Sequence, residues 1–317
     1  MKTKYKLITA SVITTLTAAS ITALNKMIFI SSTYKENLSQ NKGLIYKWRF
    51  GDIYYTKRGE GKPLLLIHDL ILGSSDYEWK EIIDTLSSNY TVYTIDLLGF
   101  GRSDKPNITY TNYLYVQLLG DFIKNVIGRR TDVIFSGSSC SIGIMTCCND
   151  NSLFDHIMLI NPDSILKTNQ LPNKKTKILK FLIECPIIGT LTYNIMASKH
   201  FITEDFLIHY MASPSTLSNK IIYAYHESAH LHGADSKYIF SSIISNYTNF
   251  SISHKLKDIN NSICILGGSE ENYIEQTIKD YQDRNQIIES FLIPHCKHFP
   301  QLEQPEEFLK QCQVFFS

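Results

Sequence analysis

The sequence predicts an α/β fold: a mostly parallel, doubly wound sheet with a block of helices inserted before its last two strands. Two observations carry this. Short apolar runs, Leu64-Leu65-Leu66-Ile67, Tyr90–Ile95, Val133-Ile134-Phe135 and Phe154–Ile160, recur between stretches of helical pattern, as parallel strands buried on both faces do. That rhythm stops from about residue 164 to 258, where consecutive helices are broken at Pro172, Pro186 and Pro214, and then it resumes. At 317 residues the chain is long enough for a substantial core.

Residues 1–6 carry three lysines, and residues 7–24 are then free of charge, with five threonines and two serines. Eighteen helical residues approach the span of a bilayer core at about 1.5 Å each. Residues 1–30 are therefore expected to be an uncleaved membrane anchor, with a signal peptide cut after Ser20 or Ala23 as the alternative. Lysines flank both sides, so orientation stays open. Residues 31–43 read as a linker. Strands are expected at 44–50 and 52–56, turning at Gly51-Asp52, then at 64–67 and Tyr90–Ile95. Helices are expected at 77–88 and 111–128. A strand at 132–135 leads into the central turn and helix, and Phe154–Ile160 follows. After the helical block come a strand at 263–266, a helix near 273–283, a strand at 287–292 and a last helix around 305–316. The expected division is a core of 44–163 and 259–317 with a helical cap at 164–258.

A formal net charge of +1, with no basic run, gives no sign of a nucleic-acid partner. The seven cysteines form no CxxC pair and fall mostly in apolar stretches, so they read as buried thiols.

The most informative stretch is Gly137-Ser138-Ser139-Cys140-Ser141, directly after an apolar strand. Small residues around a serine at a sharp strand-to-helix corner expose its hydroxyl. Gly137 two residues earlier favours Ser139 as the nucleophile over Ser141. A serine needs a base and an acid from elsewhere. His298 supplies the first, with His295 as the competitor. Glu271 supplies the second, with Glu270 and Asp163 left open. His226-Glu227-Ser228-Ala229-His230 matches a zinc-protease pattern, but no third ligand stands at a recognised spacing, so no metal site is expected there.

Four landmarks together resemble the α/β-hydrolase superfamily with a helical cap, over residues 44–317. They are Pro63-Leu64-Leu65-Leu66-Ile67-His68, the loop Asp96-Leu97-Leu98-Gly99-Phe100-Gly101-Arg102-Ser103, the elbow at Ser139, and the stretch from His298 to Phe308. The order Ser139, Glu271, His298 is the one this family implies. The resemblance implies an oxyanion hole made by the N–H groups of Leu70 and Cys140. It also implies a serine hydrolase that cleaves a carboxylic ester with an apolar moiety through an acyl-enzyme, without cofactor or metal. The expected partner is a small apolar substrate, and the oligomeric state is left open. Three departures stand out: Ser141 and Asp69 replace glycines, and Glu271 stands where Asp is commoner. Asp69 would oppose an oxyanion unless it points away, is protonated, or contacts substrate. The departures at Asp69 and Ser141 motivate the alternative of a non-catalytic ligand-binding protein on the same fold.

Overall fold

The computed structural model describes residues 2–35, 38 and 43–317. Six residues of the expected linker, 36, 37 and 39–42, lie outside the described residues, as does Met1. Eight strands form one sheet: β1 (Leu44–Trp48), β2 (Gly51–Arg58), β3 (Lys62–Ile67), β4 (Tyr90–Ile95), β5 (Thr131–Ser136), β6 (Phe154–Ile160), β7 (Ser262–Gly268) and β8 (Glu289–Ile293). Their order is β1-β2-β4-β3-β5-β6-β7-β8. The pairs β1–β2 and β2–β4 are antiparallel and all others parallel. The first reversal falls at Arg49-Phe50, because Trp48 pairs with Gly51. This is two residues earlier than the turn expected at Gly51-Asp52.

The apolar runs are strands because both their faces are covered. Leu65, Ile67, Val133 and Phe135 pack into one core layer, and Leu64, Leu66, Ile134 and Met158 into the other. Each fully buried side chain of this kind contributes about 1.5–3 kcal/mol. The register aligns Ile67 with both Ile95 and Phe135, and Ser136 with Ile160. The carboxyl ends of these strands therefore share one edge, where ligands bind in open α/β sheets.

The stretch expected as one helix at 77–88 is instead a 3-10 turn, Asp76–Trp79, and a one-turn helix, Ile83–Leu86. The reason is electrostatic. Asp76 is tied to Arg102, and Glu78 accepts from Asp69 N–H, which holds the first turn to the loops. Arg102 also donates from Nε to Asp96 Oδ2 at 2.8 Å and from Nη1 to Leu38 O, and lies 3.8 Å from the Tyr54 ring centroid. Arg102→Met would leave two carboxylates buried without their cation. It is expected to cost about 3–5 kcal/mol by chemical denaturation. A loss below about 1 kcal/mol would show that this network contributes little.

Between β6 and β7 run helices Ile165–Thr168, Lys174–Glu184, Ile188–Met196, Lys199–Asp205, Asn219–His230 and Ser236–Ile244. We call this block the cap. The N-terminal helix, Lys2–Thr33, continues through Asn25-Lys26 without a break. Its stretch Tyr5–Thr33 is long and apolar enough to cross a membrane. Its last turns pack on Ile188–Met196 and Asn219–His230.

Candidate active site

The corner after β5 belongs to Gly137, not to a serine. Gly137 has φ +54°, whereas Ser139 has an ordinary helical φ of −68°. The left-handed region suits glycine because it carries no Cβ. Ser139 consequently sits two residues past the corner and is fully buried. Its hydroxyl donates to Ser136 O at 2.8 Å, with Ile67 O at 3.4 Å, and accepts from Ser136 N–H. The hydroxyl predicted to face the site thus points into the sheet edge. Ser141 donates to Ser138 O and does not reach the site either.

The expected oxyanion donors divide in the same way. Cys140 N–H donates to Gly137 O inside the turn, so it is not available. Leu70 N–H does face the site, and Ser138 N–H faces it too. Both converge on one atom: Asp69 Oδ1 accepts from Leu70 N–H at 2.6 Å and from Ser138 N–H at 2.8 Å. Asp69 neither points away nor meets solvent. It fills the hole with the chain's own carboxylate.

The other carboxylate oxygen, Asp69 Oδ2, lies 2.8 Å from His298 Nε2, and His298 Nδ1 lies 3.2 Å from Glu271 Oε2. The structure thus brings Glu271 and His298 together and puts Asp69 where the serine was expected. Of the rival acids, Glu270 is exposed and Asp163 is paired with Lys167 at 2.7 Å. His295 is exposed too, and its N–H donates to Ser269 Oγ. A carboxylate on each ring nitrogen makes both of them donors, which defines an imidazolium. Burial opposes that charge, but the hydrogen bonds and charges of Asp69 and Glu271 outweigh it and push His298 up to about 10. Burial also opposes ionising Asp69, yet His298, Lys167 and Ser138 N–H hold its carboxyl below the usual range.

Three supporting residues were not singled out from the sequence. Asn161, at the end of β6, donates to the carbonyls of Lys297 and His298 and accepts from Gly268 N–H, so it joins the histidine loop to β7. Its one visible signal was the Asn-Pro step that ends a strand. His68 accepts from Leu97 N–H on Nε2, so its Nδ1 proton goes to Asp69 O, which fixes the peptide behind the carboxylate. Glu78 accepts from Asp69 N–H and from Gln301. Burial, and then the charge of Asp69, push its carboxyl up to about 8.

Over the hole lies a cavity of about 550 Å³, with Leu70, Leu72 and Ser138 from the sheet edge and Phe201, Phe206 and Tyr210 from the cap among its walls. His298 N–H donates to Tyr210 O at 3.1 Å, which ties the cap to the histidine loop. The histidine pair of the cap does different work. His226 Nε2 is 3.4 Å from Ser32 Oγ, His230 Nδ1 donates to His226 O, and Glu227 accepts from Leu38 N–H. His226 and His230 seat the N-terminal helix, through Ser32 and Phe29, and Glu227 holds Leu38 beyond it. Among the described residues no cluster of three His, Cys, Asp or Glu side chains could hold a metal.

A family model described as "Alpha/beta hydrolase family" matches residues 64–311. The chain belongs to this family. Its relative 2-hydroxy-6-oxo-6-(2'-aminophenyl)hexa-2,4-dienoic acid hydrolase of Metapseudomonas resinovorans is 24% identical over 298 residues, covering 89% of this chain and 95% of that protein. The carboxylesterase CesB of Bacillus subtilis superposes with a TM-score of 0.69 at 14% identity, covering 92% of this chain and 98% of its own. The epoxide hydrolase CorEH superposes with a TM-score of 0.68 at 18% identity, covering 87% and 98%. At these identities the two structures speak for the alpha/beta hydrolase fold, which hosts many chemistries.

Proposed function

We propose that this alpha/beta hydrolase acts on a small apolar substrate by forming a carboxyl ester on Asp69. The observation that carries this reading is the Asp69 carboxylate, with Oδ1 on two backbone N–H groups and Oδ2 on His298. Oδ2 attacks an electrophilic sp³ carbon of the substrate, as in an epoxide or alkyl halide. The carbon–leaving-group bond breaks; His298 gives its Nε2 proton to the departing oxygen of an epoxide, whereas a halide leaves as the anion and the imidazolium releases that proton to water. The ester removes the negative charge that kept His298 protonated, so the neutral imidazole can now serve as a base.

Water then adds to Asp69 Cγ while His298 takes its proton. The oxyanion forms on Oδ1, where Leu70 and Ser138 N–H already point. Collapse expels the product alkoxide, which takes its proton from the new carboxylic acid and restores the ion pair. Single turnover in ¹⁸O-water with p-nitrostyrene oxide and 1-bromobutane as probes tests this. The Asp69 peptide should gain one ¹⁸O, and turnover without that label would overturn the mechanism. The ester-cleaving Ser139 reading requires its hydroxyl to leave Ser136 O, and fluorophosphonate labelling at Ser139 would restore it. Asp69 is only 1% exposed. This favours, as a second reading, a non-catalytic pocket, recognised by ligand binding with no turnover of any probe.

We also infer that residues 7–24 anchor the protein in a membrane, supported by the apolar helix they lie in. The full-length chain should resist alkaline carbonate extraction. A mature N-terminus near residue 21 or 24 would mean a cleaved signal instead.

A further inference from the structure

We propose that the corner between cap helices Lys174–Glu184 and Ile188–Met196 dips into the lipid bilayer beside the N-terminal helix, so that the cap rests on the membrane at a fixed tilt. This rests on the anchor reading above. Among the described residues, the N-terminal helix makes its side-chain hydrogen bonds and ring contact to the fold from its last third. Asn25 donates to Ile187 O at 3.2 Å and accepts from Asn194 Nδ2 at 2.9 Å, and Phe29 and Ser32 meet His230 and His226 further on. Residues 7–24, which precede these contacts, carry no charge and span about 27 Å as a helix. The point where the helix leaves the protein is therefore Asn25, and Ile187 is the residue seated against it.

Ile187 is the corner itself. The two cap helices meet there at 99°. Around it Ile178, Phe181, Leu182 and Ile188 are 61%, 68%, 55% and 68% exposed. Positions 178, 181 and 182 share one helical face, opposite the buried Lys180 and Ile183. Large apolar side chains exposed in one patch mark an interaction surface. The occupant follows from position and charge. The patch adjoins the exit of an apolar segment of bilayer length, and Lys174, Lys175 and Lys177 stand exposed at the far end of the same helix. An apolar corner followed by lysines fits the boundary between acyl chains and anionic headgroups.

The test uses the full chain reconstituted in vesicles of equal parts phosphatidylcholine and phosphatidylglycerol. An environment-sensitive fluorescent amino acid is placed at Ile188, at Ile13 within the anchor, or at Val314, which is exposed on the last helix. Doxyl-labelled lipid should quench the probes at 188 and 13 and leave 314 bright. Quenching at 13 but not at 188 overturns the docking and leaves the anchor standing. Quenching at neither removes the anchor reading and the docking with it. A blue shift at 188 without lipid quenching marks a protein contact and also overturns the proposal.

Discussion

Asp69→Asn is expected to abolish turnover, by on the order of 10⁴-fold or more, while the protein still folds. Losing the nucleophile of a covalent mechanism costs that much because no other group can form the intermediate. The variant is nearly isosteric. Its amide oxygen can accept from Leu70 and Ser138 N–H, and a neutral His298 can accept from its amide nitrogen while donating from Nδ1 to Glu271. Ser139→Ala, by contrast, should leave activity in place, since that hydroxyl faces Ser136 O. A residual rate within tenfold of the parent in Asp69→Asn would sink the carboxylate mechanism.

The same substitution has a signature in pH. His298 is raised from its ordinary 6.5 to about 10, so its contribution to stability is complete below pH 6.5 and fades as pH climbs to 10. Asp69 is lowered from 3.8, so its contribution is present above that value and is lost as pH falls through its folded-state pKa. The parent should therefore be more stable than Asp69→Asn by roughly a few kcal/mol between about pH 4 and 6.5. That gap should close towards pH 10. Thermal melts of both proteins at pH 6 and pH 10 read it directly, and a gap that widens with pH contradicts the ion pair.

Much of the fold was legible because its parallel strands are buried on both faces, which writes a continuous apolar run such as Leu64-Leu65-Leu66-Ile67 into the chain. The cap was legible through its prolines. The elbow register was not. Gly137-x-Ser139 and the true corner at Gly137 share the same letters, and what separates them is a backbone angle. A glycine can flank the corner or occupy it, and the spacing of small residues does not distinguish the two. Asp69 was visible as a departure, but its direction was not, because the N–H groups that hold it come from two different strand ends. Asn161 escaped for a similar reason: its partners lie 107 to 137 residues away.

The pair Asp69→Gly and Gly137→Ser should create a serine hydrolase from this site. A Cβ on Gly137 would fall 2.2–2.4 Å from the carboxylate atoms of Asp69. Those atoms occupy the space between the two N–H groups and His298, so that space holds one side chain or the other. Gly137→Ser alone must displace a buried carboxylate held by three hydrogen bonds and is expected to fold poorly. Asp69→Gly alone empties the hole and supplies no nucleophile. In the double variant the serine takes the corner at φ +54°, a strain of about 1–3 kcal/mol. Its hydroxyl then faces His298, which keeps Glu271 behind it, and Leu70 and Ser138 N–H are free for an acyl oxyanion. Fluorophosphonate should label residue 137 in the double variant only, and p-nitrophenyl butyrate hydrolysis should appear with it. A folded double variant that stays unlabelled would mean that His298 and the two N–H groups do not form working catalytic machinery. The carboxylate mechanism, which uses the same three groups, would then lose its support as well.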